Sequence, residues 1–152
     1  MRIDRGMKRI ILFLLILQAG IVRGQDLKID SNLSAFIKEW SGTPYLLGGS
    51  TKRGIDCSNL NKNLYKQVYN LNIPSVCYKQ WNSTSRISKD SLKVGDLIFF
   101  RSTRSPSGWH CGCYLGEGLF LHSPQRGDVV KISSINEPKY EKSYRGAGRI
   151  IE

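Results

Sequence analysis

His110-Cys111-Gly112-Cys113-Tyr114-Leu115-Gly116, followed by Glu117-Gly118 and then Leu119-Phe120-Leu121-His122, reads as two strands joined by a tight glycine turn. Side chains alternate along a strand, so His110, Gly112 and Tyr114 share one face while Cys111, Cys113 and Leu115 share the other. The second set is the core face. His110 therefore stands opposite it, beside a glycine that leaves room for something to approach. His122 closes the next strand, and the chain has only 2 histidines, so both fall on neighbouring strands.

Working outward, Gly95-Asp96 is a turn and Leu97 to Arg101 a strand, and the runs Val129 to Ser133 and Tyr144 to Ile151 add further strands between Gly, Pro, Ser and Asn clusters. Upstream the period changes. Leu33, Phe36, Ile37 and Trp40 recur at helical spacing behind the caps Asp30 and Ser31, which predicts a helix over 31–40. A turn-rich loop, Ser41-Gly42-Thr43-Pro44 and then Gly48-Gly49-Ser50, leads to a second helix from about Cys57 to Tyr69, with Leu60, Leu64, Val68 and Leu71 on one face. After Pro74 a short helical or irregular piece is expected around Tyr78 to Trp81. Helices first and an antiparallel sheet afterwards make an α+β domain.

The 152 residues suffice for one domain, and 40% hydrophobic with 23% charged residues is a globular composition. Arg2, Arg5, Lys8 and Arg9 precede the apolar run Ile10 to Leu17, the layout of a secretory signal peptide. Val22 and Gly24 are small enough to place the cut before Gln25, so residues 1–24 are expected to be removed and 25–152 to form a single domain. The run is too short for a membrane span, which needs ~20 apolar residues. An exported protein, periplasmic or extracellular, with no stable membrane anchor after cleavage is the expectation. Without residues 1–24 the net charge falls from +11 to +7, which suits an anionic partner. The basic residues are scattered through loops with no DNA-reading motif, and export removes nucleic acid as a partner.

A cysteine in the first turn of a helix faces unpaired amides and the positive end of the helix dipole, which favour thiolate over thiol. Cys57 holds that position, and its neighbours Gly54, Asp56, Ser58 and Asn59 are not a core run. With His110 as base and His122 orienting it, Cys57 is a candidate nucleophile. The other cysteines are Cys77, Cys111 and Cys113. At most one disulfide is expected, since Cys111 and Cys113 sit two apart on a strand and bridge each other poorly. The Cys-x-Cys pair lacks the spacer of ordinary zinc sites, so neither a metal nor another cofactor is expected.

From Gly42 to Ile151 the chain resembles the NlpC-type cell-wall peptidases, small papain-like cysteine endopeptidases. The resemblance rests on Gly42-Thr43-Pro44-Tyr45, Gly48-Gly49-Ser50, Gly54-Ile55-Asp56-Cys57-Ser58 and Pro74 with Gln80. It continues through Gly95-Asp96-Leu97-Ile98-Phe99-Phe100, His110-x-Gly112-x-Tyr114-Leu115-Gly116 and Phe120-Leu121-His122-Ser123. It implies N-terminal helices packed on a central antiparallel sheet of about five or six strands. It also implies a triad of Cys57, His110 and His122, and a monomer acting on peptidoglycan or its peptide fragments, commonly at the bond between γ-linked D-glutamate and the following diamino acid. Tyr45, Asp56 and Ser58 stand at positions that line the site in relatives, and Asp56 with Ser58 would hold a free L-alanine amine. As residue types, Asp56 and Ser58 are equally good helix caps, and Tyr45 equally suits packing under the Pro44 turn.

The chain departs from the family after Ser58, where Asn59-Leu60-Asn61 replaces the usual glycine and apolar pair. Asn59 is expected to crowd the helix-on-sheet packing or to narrow a substrate pocket, and Asn61 to face solvent. Those two polar residues keep open a catalytically weak wall-binding protein of the same fold. A related amidase or acyltransferase with the same triad and a different pocket is the other alternative.

Overall fold

The structure, a computed structural model, describes residues 29–150; the signal-peptide reading and the Gln25 cut lie outside them. Helix α1 (Ser31–Trp40) starts where Asp30 accepts a hydrogen bond from the Leu33 amide at 2.9 Å, and it buries Leu33, Phe36 and Trp40. A two-stranded hairpin, β1 (Ser50–Thr51) with β2 (Gly54–Ile55), delivers the chain into helix α2 (Cys57–Tyr69), which Asn70 ends in the left-handed conformation. The helix ends where the sequence placed it, with one difference from the periodic reading. Leu71, expected on the apolar face of α2, lies past the helix and is exposed.

The short helical or irregular piece expected around Tyr78 to Trp81 is helix α3 (Cys77–Asn82), and β3 (Ser85–Ile87) follows it. The main sheet continues with β4 (Leu97–Arg101), β5 (Trp109–Gly116), β6 (Leu119–His122) and β7 (Lys131–Ser134). It ends with helix α4 (Pro138–Ser143) and strand β8 (Tyr144–Arg149). The order across the six-stranded sheet is β3-β8-β4-β5-β6-β7, and every pair is antiparallel. This is the α+β arrangement expected.

Alternation along β4 and β5 divides the interior in two. Leu97, Phe99, Cys111, Cys113 and Leu115 pack with Leu33, Leu60, Leu64 and Tyr65 into the core between helices and sheet. Ile98 and Phe100 point the other way and meet Phe120, Ile135 and Tyr140 in a smaller cluster under α4. The sheet is thus covered on both faces, which is why β4 is apolar at four consecutive positions. Gly112 pairs with Ile98 on β4, and a Cβ there would stand 2.7 Å from the Phe120 ring and 2.8 Å from the Leu121 carbonyl. The room this glycine leaves is therefore taken by the neighbouring strand.

Candidate active site

Cys57 is the first residue of α2 because Asp56 is its cap. One carboxylate oxygen of Asp56 accepts from the Asn59 amide at 2.8 Å and from the Ser58 hydroxyl at 3.1 Å, and the other accepts from the Gly48 amide at 2.9 Å. The carboxylate so fixes both the helix start and the glycine-rich loop before it. Burial pushes the Asp56 pKa up, against the pull of these donors. Ser58 is not the cap; its hydroxyl reaches the Ser75 carbonyl at 2.7 Å and ties α2 to the segment before α3.

Gln80 completes that tie. It is fully buried, and its side-chain amide donates to the carbonyls of Ser58 at 2.8 Å and Pro74 at 2.7 Å. Its side-chain oxygen accepts from the Asn61 amide at 3.1 Å. Asn61, expected to face solvent, is buried instead, because Gln80 on α3 supplies the polar partner that a buried amide needs. Asn59 is buried and lines the cleft beside Cys57.

The two histidines meet. His110 Nε2 lies 2.8 Å from His122 Nδ1, and His122 Nε2 lies 2.9 Å from the Ser133 hydroxyl, with the Tyr140 hydroxyl at 3.4 Å. Burial, then the charges of His110 and Lys131, lower the His122 pKa from 6.5 to about 2, so this ring is neutral throughout the physiological range. A neutral ring that donates from Nε2 to Ser133 keeps Nδ1 as an acceptor for the His110 Nε2–H. The other nitrogen of His110 is then free for Cys57.

The Cys57 thiol is pulled well below its ordinary pKa, first by its contacts with Cys111 and Cys77 and then by the His110 ring, while burial opposes. Its Sγ lies 3.4 Å from Cys77 Sγ, which lies 2.6 Å from Cys111 Sγ. Three thiols within 4.8 Å of one another could hold a thiophilic ion. The spacing argument did not see this group, because its members come from α2, α3 and β5. Around Cys57 the surface opens into a cleft of about 380 Å³ lined by Tyr45, His110, Trp109 and Gln125. A second lobe of about 470 Å³ reaches Asp56, Ser58 and Asn59. Tyr45, Asp56, Cys57, Ser58 and His110 are thus brought to one cleft, with His122 behind it. Ser133, Trp109 and the Ser105-Pro106 loop were missed, and no residue type or spacing in the sequence marks them.

A model of the NlpC/P60 family matches residues 42–149. The chain belongs to the NlpC/P60 family of cysteine peptidases. It is 37% identical over 132 residues to the Escherichia coli K12 protein named murein DD-endopeptidase MepS/murein LD-carboxypeptidase, covering 87% of this chain and 68% of that one. A Haemophilus influenzae protein named "Probable endopeptidase" is 39% identical over 127 residues, 84% of this chain and 78% of its own. Among solved structures, an NlpC/P60 family protein from Bacillus cereus superposes with a TM-score of 0.72 at 32% identity, over 80% of this chain and 40% of that one. The NlpC/p60 domain of the peptidoglycan hydrolase SagA gives 0.65 at 32% identity, over 78% and 97%. Among the described residues no helix is long and apolar enough to cross a membrane.

Proposed function

We propose that this NlpC/P60 protein is an exported endopeptidase that hydrolyses peptidoglycan stem peptides, with Cys57 as nucleophile, His110 as general base and His122 as the residue that orients it. The observation that carries the reading is the relay from Cys57 at a helix start, through His110, to a neutral His122 held by Ser133. The Cys57 thiolate attacks the amide carbonyl. As the first helical residue, Cys57 has a backbone N–H with no acceptor inside the helix, and that N–H faces the developing oxyanion. His110, holding the thiol's proton, gives it to the leaving amine. The ring then takes a proton from the water that hydrolyses the thioester. His122 accepts from His110 Nε2 throughout, so it keeps the ring in plane and stabilises its charged form without itself taking a proton.

Stem peptides carry carboxylates, and a groove of about 740 Å³ that shares His110 and Arg104 with the cleft is lined by Arg101, Arg104, Lys139, Lys142 and Arg145 against the single acidic residue Asp128. This is where the excess positive charge faces the site. Two bonds fit the reading. The bond between γ-linked D-glutamate and the diamino acid is the one the family resemblance implies, with Tyr45, Asp56 and Ser58 binding the substrate and a free L-alanine amine held by the last two. The second reading is a D,D cross-link, the bond carried in the name of the Escherichia coli relative. It is favoured by the commitment of Asp56 to three internal donors, which reduces its capacity for a free amine.

Purified protein of residues 25–152, the expected exported form, should release new amino groups from peptidoglycan, and Cys57→Ala should abolish the release. Mass spectrometry of the products separates the two bonds. Hydrolysis that survives Cys57→Ala overturns the mechanism.

A further inference from the structure

Cys77 is the shared neighbour of two other thiols, and no disulfide joins them. Its sulfur lies 2.6 Å from that of Cys111 and 3.4 Å from that of Cys57. Cys111 is fully buried on β5 and Cys77 is nearly so at the start of α3, while Cys57 is open to the cleft. A disulfide bond is ~2.05 Å long. The Cys77–Cys111 pair therefore needs to close by only about half an ångström, and the Cys57–Cys77 pair by more than twice that.

We propose that Cys77 and Cys111 are a thiol-oxidation site that takes a small disulfide oxidant, and that the bridge they form keeps the Cys77 thiol from capturing Cys57. The setting, an oxidising compartment outside the cytoplasm, rests on the export reading above. In the first step the Cys57 thiolate, the one open to the cleft, attacks one sulfur of the oxidant, and the other sulfur leaves as a thiolate with the electron pair of the broken bond. In the second, the Cys77 thiolate attacks the Cys57 sulfur of that mixed disulfide and expels the remaining half, and the Cys111 thiolate then attacks the Cys77 sulfur and returns Cys57 as a thiolate. The protons given up by Cys77 and Cys111 end on the two released thiols, and two electrons have passed to the oxidant.

The shorter Cys77–Cys111 separation and the acidity of the three thiols favour the same bridge. The Cys111 contact pulls Cys77 down in pKa, but its contact with Cys57 and its burial prevail and push it up. Cys111 is raised by burial and then by its two thiol neighbours. Cys57, drawn the other way, is the best leaving group of the three. A Cys57–Cys77 link would accordingly be displaced by Cys111, returning Cys57 as a free thiolate. With the bridge closed, two of the three sulfurs that could hold a thiophilic ion are consumed.

The test is disulfide mapping of the whole chain, reduced, treated with oxidised glutathione, alkylated with iodoacetamide and digested without reductant. Cys57, Cys77 and Cys111 fall on three different tryptic peptides, and fragmentation separates Cys111 from Cys113, which shares its peptide. The expected result is a Cys77–Cys111 link with Cys57 still alkylated as fast as before treatment. A Cys57–Cys77 link, or Cys77 and Cys111 both alkylated, overturns the proposal, as does retention of added Zn²⁺ by the oxidant-treated protein. Cys111→Ser tests the protective role: after the oxidant its Cys57 should be found linked to Cys77, with alkylation down at least tenfold and restored by dithiothreitol, while Cys77→Ser should carry glutathione on Cys57 in place of a protein bridge. Undiminished labelling in Cys111→Ser overturns that role. Because labelling needs no substrate, its outcome is separate from that of the peptidase assay, and the wild-type map does not depend on how the variants fold.

Discussion

His122 gives the protein an acid sensitivity whose size follows from its surroundings. The ring is fully buried, bonded to His110 and Ser133, and its pKa is lowered from 6.5 to about 2. In the unfolded chain the same group takes a proton as the pH drops through 6.5, whereas the folded protein refuses it until far lower. The unfolded state thus binds more protons across that window, and stability falls as the pH falls. Each unit below 6.5 costs about 1.4 kcal/mol, so at pH 5 the penalty from this residue is about 2 kcal/mol. Replacing His122 by Gln keeps a polar side chain able to reach Ser133 and removes the titration. Urea unfolding of wild type and His122→Gln at pH 7.5, 6.0 and 5.0 isolates the effect, because contributions from Cys57 and Asp56 are shared by both and cancel in the difference. The variant is expected to be less stable at pH 7.5 and to recover about 2 kcal/mol relative to wild type by pH 5. Parallel stability profiles for the two proteins would refute the reasoning.

Gly112→Ala pushes a methyl group into the Phe120 ring and the Leu121 carbonyl, and should lower stability by about 1–3 kcal/mol in a denaturant titration, displacing the strand that carries His122. Ser133→Ala removes the hydrogen bond at His122 Nε2; kcat on a stem peptide should fall about tenfold, the equivalent of ~1.4 kcal/mol, with KM little changed. Gln80→Ala leaves Asn61 and the carbonyls of Ser58 and Pro74 without their buried partner, for an expected loss of about 3 kcal/mol by thermal or urea unfolding. Iodoacetamide should alkylate reduced Cys57 with an inflection below the ~8.5 of a free thiol, since its neighbours hold its pKa down, and an inflection at or above that value would count against an activated thiolate.

What could be read from the sequence and what could not divide along a physical line. The limits of α1 and α2 were legible because a cap residue and a 3.6-residue apolar period both announce a helix. The β5–β6 hairpin was legible because alternation and a glycine turn announce a strand pair. Cys57 could be singled out for the same reason, since helix starts alter thiol chemistry locally. Strands of two or three residues, such as β1, β2 and β3, carry too few positions for a period to register, and α4 has only six residues.

Illegibility in the site has a different origin, the distance in sequence between polar partners. Asn61 looked like a solvent-facing residue because its partner Gln80 is 19 positions away on another helix. Ser133 is 11 positions from His122 across a strand pair, and Cys111 is 34 from Cys77. Burial of a polar group depends on finding such a partner, so residue type alone cannot fix which side it faces. In this protein the polar residue that departs from the family's apolar pair, Asn61, is connected inward. Asn61 joins the Gln80 network, which ties α3 to the carbonyl one residue after Cys57. Cys77 and Cys111 extend that contact to the sulfur itself. The segment around the nucleophile is therefore held from beneath by side chains of α3 and β5, and changes there should reach the reacting thiol without touching substrate.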